Sequence, residues 1–395
     1  MTHSFFQNLE EHPADPILGL TVAFNNDQRA DKVNLGVGTY CTSEGAPFVL
    51  ECVRTAEKII WEQNLDKEYL PIIGKQEFIQ SVASIVLGEG FGDRLFGAQT
   101  IGGSGALRMG GELLKENGCK KIYLPTPTWP NHTGIFDRIG LEIDHYTYYN
   151  PTDHSLNFSR MCEEIEKMPR GSLILFHTCC HNPTGQDPTD TEWETLSQIV
   201  KARGLFPIFD NAYQGFGDNF HKDSFPIRLF AKQGHELMVA VSFSKNLGLY
   251  GERVGALLFL LNESQSIAAP LSQLKTLIRR NYSSPPIHAS RIVTTILQSE
   301  SLKKQWLIEL NQMRERIIKM RSEFATGLTD RGFKQDVTFF KKQNGMFSLT
   351  GLSHDQVEKL KKTYGVYMPK SGRINFAGLN TQNMELAIDA LLHVQ

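Results

Sequence analysis

A chain of 395 residues, 41% of them hydrophobic, is too long for one ordinary core and apolar enough to bury more than one, so roughly two to three domains are expected. Its formal net charge of −2 leaves no electrostatic footprint for nucleic acid, and no apolar run approaches the roughly 20 residues of a membrane span. The six cysteines (41, 52, 119, 162, 179 and 180) form no Cys-x-x-Cys pair and the first 15 residues lack a signal-peptide pattern, so a soluble cytoplasmic protein with reduced thiols is expected.

Residues 1–12 read as a polar arm in which Phe5 and Phe6 favour docking on a partner surface. Residues 17–24 predict a short helix, and 33–38 predict extended chain ending in glycine. Phe78, Ile79, Val82, Ile85 and Val86 recur at helical spacing and stop at Gly88. Seven short apolar runs then predict strands: 99–101, 121–124, 142–148, 172–178, 206–210, 237–243 and 254–261. Helix-like stretches at 106–115 and 193–202 separate some of them, the second with a capping box expected from Thr191 to Glu194. Strands alternating with helices imply a mostly parallel sheet covered on both faces, with functional groups at the carboxyl ends of the strands. The link between the last two strands is too short for a helical crossover, so that pair is expected to be antiparallel. Trp306, Leu310, Met313, Ile317, Met320 and Phe324 mark one long helix with a single packing stripe. It leads into a smaller α+β unit with short strands near 345–349, 365–367 and 373–376 and a closing helix from Thr381.

Five stretches at strand ends carry chemistry. In Ser242-Phe243-Ser244-Lys245-Asn246-Leu247-Gly248-Leu249-Tyr250-Gly251-Glu252-Arg253-Val254-Gly255, a lysine between two buried strands stands beside two serines and an arginine. The lysine is either a solvated loop residue or an amine tuned for reaction, and its neighbours are equipment for holding a phosphate. Gly102-Gly103-Ser104-Gly105 is either a tight strand-to-helix turn or an anion site, and it matches neither the dinucleotide nor the Walker fingerprint. Trp129, in a proline-rich loop, is either packed or a stacking face. Asp210 is a helix cap or a buried carboxylate held ionised by a cation, and Tyr213 offers a phenol close by. In His177-Thr178-Cys179-Cys180-His181-Asn182-Pro183-Thr184-Gly185, Asn182 offers an amide. A zinc site there is set aside, because adjacent cysteines do not easily reach one ion and no second ligand pair stands elsewhere, so no metal is expected. A phosphate cradle, a stacking ring, an amide, a phenol, a buried acid and an amine are together the parts that pyridoxal phosphate uses.

With Asn281-Tyr282-Ser283-Ser284-Pro285-Pro286 and Ser371-Gly372-Arg373-Ile374-Asn375, these motifs resemble the class I pyridoxal-phosphate-dependent aminotransferases of the aspartate/aromatic family, over nearly the whole chain. The resemblance implies the fold type I architecture: a mostly parallel seven-stranded α/β sheet domain with helices on both faces, plus a smaller α+β domain. It implies an arm at 1–12, a small domain formed by 13–46 and 313–395, and a large cofactor-binding domain at 47–312. By the same resemblance Lys245 would carry pyridoxal 5′-phosphate and move the substrate proton, Asp210 would pair with the ring nitrogen with His132 behind it, and Tyr213 and Asn182 would bond the phenolic oxygen. Gly103, Ser104, Ser242, Ser244 and Arg253 would hold the phosphate with Tyr69 of a second subunit, and Trp129 would cover the ring. Arg373 would take the substrate α-carboxylate and Arg279, from the second subunit, a side-chain carboxylate, with Arg280 its rival. Gly38 would lie in a segment that closes over substrate.

The implied reaction is transfer of the amino group of aspartate to 2-oxoglutarate by a homodimer with shared sites. Ser284, with Thr39, Cys41 and Glu68 fitting neither branch, keeps aromatic amino acids open as substrates. A non-catalytic regulator on the same scaffold is the third reading, opposed by the completeness of the site.

Overall fold

The computed structural model describes residues 4–11, 15, 17–262 and 267–395. Its centre is a seven-stranded sheet whose members, in chain order, are β1 Leu95–Ile101, β2 Lys121–Thr126, β3 Glu142–Thr147, β4 Leu173–His177, β5 Phe206–Asn211, β6 Leu237–Ser242 and β7 Val254–Leu260. All seven predicted strands are present, and β1 begins four residues earlier than its apolar run suggested, at Leu95. The spatial order is β1-β7-β6-β5-β4-β2-β3. Pairings among β2 to β6 are parallel, whereas β7 runs antiparallel to both β6 and β1, as the short link predicts. Only β7 is reversed, so its amino end and the carboxyl ends of the other six strands share one edge.

The central strands are mostly apolar, with polar residues only toward their carboxyl ends, because helices cover both faces, and every residue of β4, β6 and β7 is buried. The core divides accordingly. One cluster, with Leu107, Phe136, Leu175, Ile208, Ala240 and Leu257, packs on one face of the sheet. Alternate residues of the same strands, such as Phe176, Phe209, Val241 and Leu258, join a larger cluster on the other face, which continues through the long helix into the smaller unit.

Helices refine the sequence reading. The helix expected at 106–115 is Gly102–Glu116, so Gly102 to Gly105 form its first turn rather than a turn before it. The capping box of the helix Asp190–Arg203 is Thr189 with Glu192, two residues before the expected pair, and the Glu192 carboxylate accepts from the Thr189 N–H at 2.7 Å. Both spacings fit the pattern, and the earlier start adds backbone bonds, beginning with the Trp193 N–H to the Thr189 carbonyl. The long helix is Glu300–Asp330, with all six predicted stripe residues buried. Its Trp306 indole donates to the Asn246 carbonyl at 2.7 Å, pinning the residue after Lys245.

Val33–Asn34 pairs in parallel with Val366–Tyr367, joining the two ends of the chain, and Phe347–Leu349 pairs antiparallel with Arg373–Asn375. The closing helix is Met384–Leu392. Phe5 and Phe6 are exposed, and the expected end of the arm at residue 12 lies outside the described residues. No helix among the described residues is long and apolar enough to cross a membrane.

Candidate active site

The shared edge of the sheet gathers the predicted groups around one cleft of about 150 Å³, lined by Gly103, Ser104, Trp129, His177, Asn182, Asp210, Ala212, Tyr213, Ser242, Ser244, Lys245 and Arg253. Strand order sorts them. Gly103 and Ser104 follow β1, Arg253 precedes β7, and Ser242, Ser244 and Lys245 come from the end of β6, so anion-binding groups stand on one side. Asp210 comes from β5 and Tyr213 from just after it, Asn182 from the loop after β4 and Trp129 from the loop after β2, on the other side. Among the described residues, Asp210 is thus the only carboxylate on the wall of the cleft, away from the Ser104–Arg253 end.

At that end Ser242 Oγ donates to Ser244 Oγ at 3.1 Å, and Arg253 Nη1 donates to Ser244 Oγ at 3.3 Å and to the Tyr250 carbonyl at 3.0 Å. Gly102 has φ +65°, and a Cβ there would stand 2.7 Å from Arg253 Nη2. A bare backbone is therefore required where the guanidinium meets the first turn of the helix, leaving N–H groups and a cation pointed at one space.

Asp210 is buried, which pushes its carboxyl up. The hydrogen bond with His132 Nε2 at 2.9 Å, together with the nearby Lys245 ammonium, outweighs burial and holds it below the usual carboxylate value. His132 is itself fully buried, and its Nδ1 lies 2.8 Å from Thr128 Oγ1, which lies 3.2 Å from His177 Nε2. Burial drives His177 down to about 3, so it is neutral. Tyr213 is held protonated because burial raises its phenol, though Arg373 opposes the shift.

Lys245 Nζ lies 5.1 Å from the centroid of the Tyr213 ring. Burial pulls its ammonium down to about 8, with Arg253 and Arg373 adding to the effect and Asp210 opposing it. About a tenth of the amine is then neutral at pH 7, against well under a thousandth at the ordinary lysine value.

Arg373 closes the cleft from the smaller unit. Its Nη1 donates to Asn182 Oδ1 at 3.0 Å, its Nη2 to the Gly36 carbonyl at 2.6 Å, and its Nε is buried with no partner. Burial lowers it to about 10, so it stays charged at neutral pH, and among the described residues no carboxylate pairs with it. A buried guanidinium without an acid is a receptor for one. Phe347 lies 4.2 Å from its Cζ, and Gly38 abuts the same ring, where a Cβ would come within 3.1 Å.

Tyr69 is 90% exposed and Arg279, which donates to Ser283 Oγ, is also exposed; neither lines the cleft of its own chain. Sequence reasoning missed His177, Ala212, Thr128 and Phe347. His177 is the last residue of β4, so the strand-end rule that selected Asp210 could have found it; nothing in the sequence points to Phe347.

The profile of the family described as aminotransferase class I and II matches residues 30–391. The chain is 42% identical to an aspartate aminotransferase of Escherichia coli (strain K12), covering 98% of this chain and 100% of that protein. Among solved structures, it is similar to an aromatic-amino-acid aminotransferase from Burkholderia pseudomallei covalently bound to pyridoxal phosphate, at 41% identity and TM-score 0.95 over 99% of this chain and 100% of that one. It is also similar to the aspartate aminotransferase from Saccharomyces cerevisiae cytoplasm, at 35% identity and TM-score 0.96 over 99% of this chain and 98% of that one.

Proposed function

The chain belongs to the aminotransferase class I and II family, and from that premise we propose that it transfers the amino group of aspartate to 2-oxoglutarate, giving oxaloacetate and glutamate, with pyridoxal 5′-phosphate as cofactor. One observation carries the reading: a neutralisable amine, Lys245, shares a cleft with a carboxylate kept ionised by a buried histidine and with an acid-free cradle of hydroxyls and a guanidinium. The residues fit the group. The bare backbone at Gly102 and Gly103, with Ser104, Ser242, Ser244 and Arg253, suits its phosphate, Asp210 its ring nitrogen, Asn182 and Tyr213 its phenolic oxygen, and Trp129 a ring face.

When bound, pyridoxal phosphate supplies an electron sink that lets an amino acid lose its α-proton. The neutral Nζ of Lys245 takes and returns that proton, which the lowered affinity of its amine for protons permits near neutral pH. Asp210, held by His132, keeps a negative charge facing the cleft, and Tyr213 donates a hydrogen bond without losing its own proton. Arg373 binds the α-carboxylate with its free Nε and an Nη, while Asn182, whose Oδ1 is engaged by Arg373, keeps its amide N–H groups to donate. Phe347 lies over Arg373 and Gly38 packs against its ring, which supports a small unit built from 13–46 and 313–395 closing on the large one at 47–312 to exclude water. A second copy would add Tyr69 to the phosphate and Arg279 to the substrate side chain, making the homodimer the active form.

Initial rates with aspartate, phenylalanine and tyrosine, each with 2-oxoglutarate, test the assignment. Aspartate is expected to be fastest, and Arg279→Leu to reduce its kcat/KM by the roughly 2–5 kcal/mol that loss of one partner of a desolvated charge pair costs, while leaving phenylalanine nearly untouched. Ser284 and the likeness to an aromatic-amino-acid aminotransferase favour a second reading, with aromatic amino acids as the main substrates. Faster turnover of phenylalanine than aspartate would select it.

A further inference from the structure

Behind the loop that carries Asn182, and separate from the active cleft, a cavity of about 460 Å³ has Thr178, Cys179, Asp187, Lys222, Asp223 and Asn344 among its walls. Cys179 and Asp223 of its wall and the neighbouring Cys180 each offer one ligand atom within 4.8 Å of the others, and all three residues are buried. The reaction proposed above uses none of them. We propose that Cys179, Cys180 and Asp223 bind one thiophilic divalent cation of the zinc or cadmium kind, which enters from this cavity.

Backbone conformation makes this possible. Neighbouring residues of an extended chain point to opposite faces, and for that reason adjacent cysteines do not easily reach one ion. Cys180, however, has φ +52°, the left-handed conformation, which breaks the alternation after β4 and turns its side chain toward that of Cys179. Two bonds hold the turn: the Cys180 and His181 N–H groups donate to Asp187 at 2.8 and 3.0 Å.

The third ligand is fixed too. Asp223 Oδ2 accepts from the N–H groups of Gly215 at 2.7 Å and Gly217 at 2.9 Å, and Oδ1 from that of Asp218 at 2.8 Å, so Oδ1 keeps a lone pair to offer. Tetrahedral zinc with sulfur at about 2.3 Å sets its thiolates about 3.8 Å apart, so a spacing within 4.8 Å needs side-chain shifts of at most about half an ångström each. On binding, two S–H bonds break, two sulfur–metal bonds form and two protons pass to solvent, while water from the cavity fills the fourth position. Thiolates select zinc and cadmium over magnesium and calcium.

Titrating the full-length, cofactor-loaded protein with cadmium alone, followed by ultraviolet sulfur-to-metal absorption and by metal analysis after dialysis, tests the proposal. One equivalent per chain is expected, weakened at least about tenfold in Cys179→Ser and in Cys180→Ser, with zinc displacing it competitively. The serine variants are preferred to Asp223→Asn, because the Asp223 carboxylate also supports the 215–218 turn. Less than one bound equivalent in the wild type overturns the site, whatever the stability of the variants. So does unchanged binding in the double serine variant, which would place the cation at Cys41, Cys52, Cys119 or Cys162.

Discussion

Lys245 carries the proposed chemistry because the protein makes its charge expensive. Its amine is lowered to about 8 in the folded chain against 10.5 in an unfolded one, so the folded state disfavours the proton. In cofactor-free protein this penalty is absent above about pH 10.5, grows as pH falls toward 8, and is complete below that. Lys245→Met should therefore stabilise the cofactor-free protein at pH 7 by at most about 3 kcal/mol, with the gain disappearing as pH rises through that window. Urea unfolding of both proteins at pH 7 and 10.5 measures it; a gain that does not change with pH would show that the ammonium is not destabilised by folding. At this scale the sequence showed Lys245, Asp210, Asn182 and Trp129, because each follows an apolar run that ends at the functional edge. It did not show the left-handed backbone at Cys180, or Arg321, whose buried guanidinium donates to the Phe340, Asn344, Gly345 and Phe347 carbonyls and to Ser348 Oγ. Arg321 finds its partners 19 to 27 residues along the chain, and the turn at Cys180 is held by Asp187 across a loop, so neither shows in local spacing.

Strand order accounts for the separation of the cradle from the ring-binding groups. The reversed β7 lies between β1 and β6, so Arg253 is delivered between Ser104 and Ser242 at the same edge. Alternating apolar runs revealed the strands and the direction of β7, but not their spatial order, which depends on how helices pack across the sheet. Gly102→Ala should disturb the cradle alone: its Cβ would strike the Arg253 guanidinium in a backbone conformation that favours glycine, and retention of pyridoxal phosphate on dialysis should weaken at least about tenfold. Unchanged retention would remove the cradle from the phosphate site. Thr189→Ala removes only a helix cap that does not line the cleft, and is expected to cost about 1 kcal/mol in unfolding free energy with turnover unchanged. The sequence reading placed the capping box two residues later, at Thr191 and Glu194.

The whole molecule is proposed to work as a pair, since the Tyr69 and Arg279 side chains are turned away from the cleft of their own chain. Mixing Lys245→Ala with Arg279→Leu in equal amounts, after unfolding and refolding together, should restore about a quarter of wild-type aspartate turnover, because half the dimers are mixed and each has one complete site. No recovery, with mixed dimers present, would place Arg279 outside the partner's site. Length and strand count made the large unit readable, and pairing of Val33–Asn34 with Val366–Tyr367 completes the small one from both chain ends. The surface of the proposed pair left only faint traces in the sequence, such as Phe5 and Phe6, because exposed aromatic residues do not name what covers them. The central claim, that this cleft transaminates aspartate through Lys245, is tested most directly by the initial rate of oxaloacetate formation from aspartate and 2-oxoglutarate in cofactor-saturated wild type and Lys245→Ala. The account predicts steady turnover in the wild type and a loss of at least about 10⁴-fold in the variant; turnover in Lys245→Ala within tenfold of wild type would contradict it.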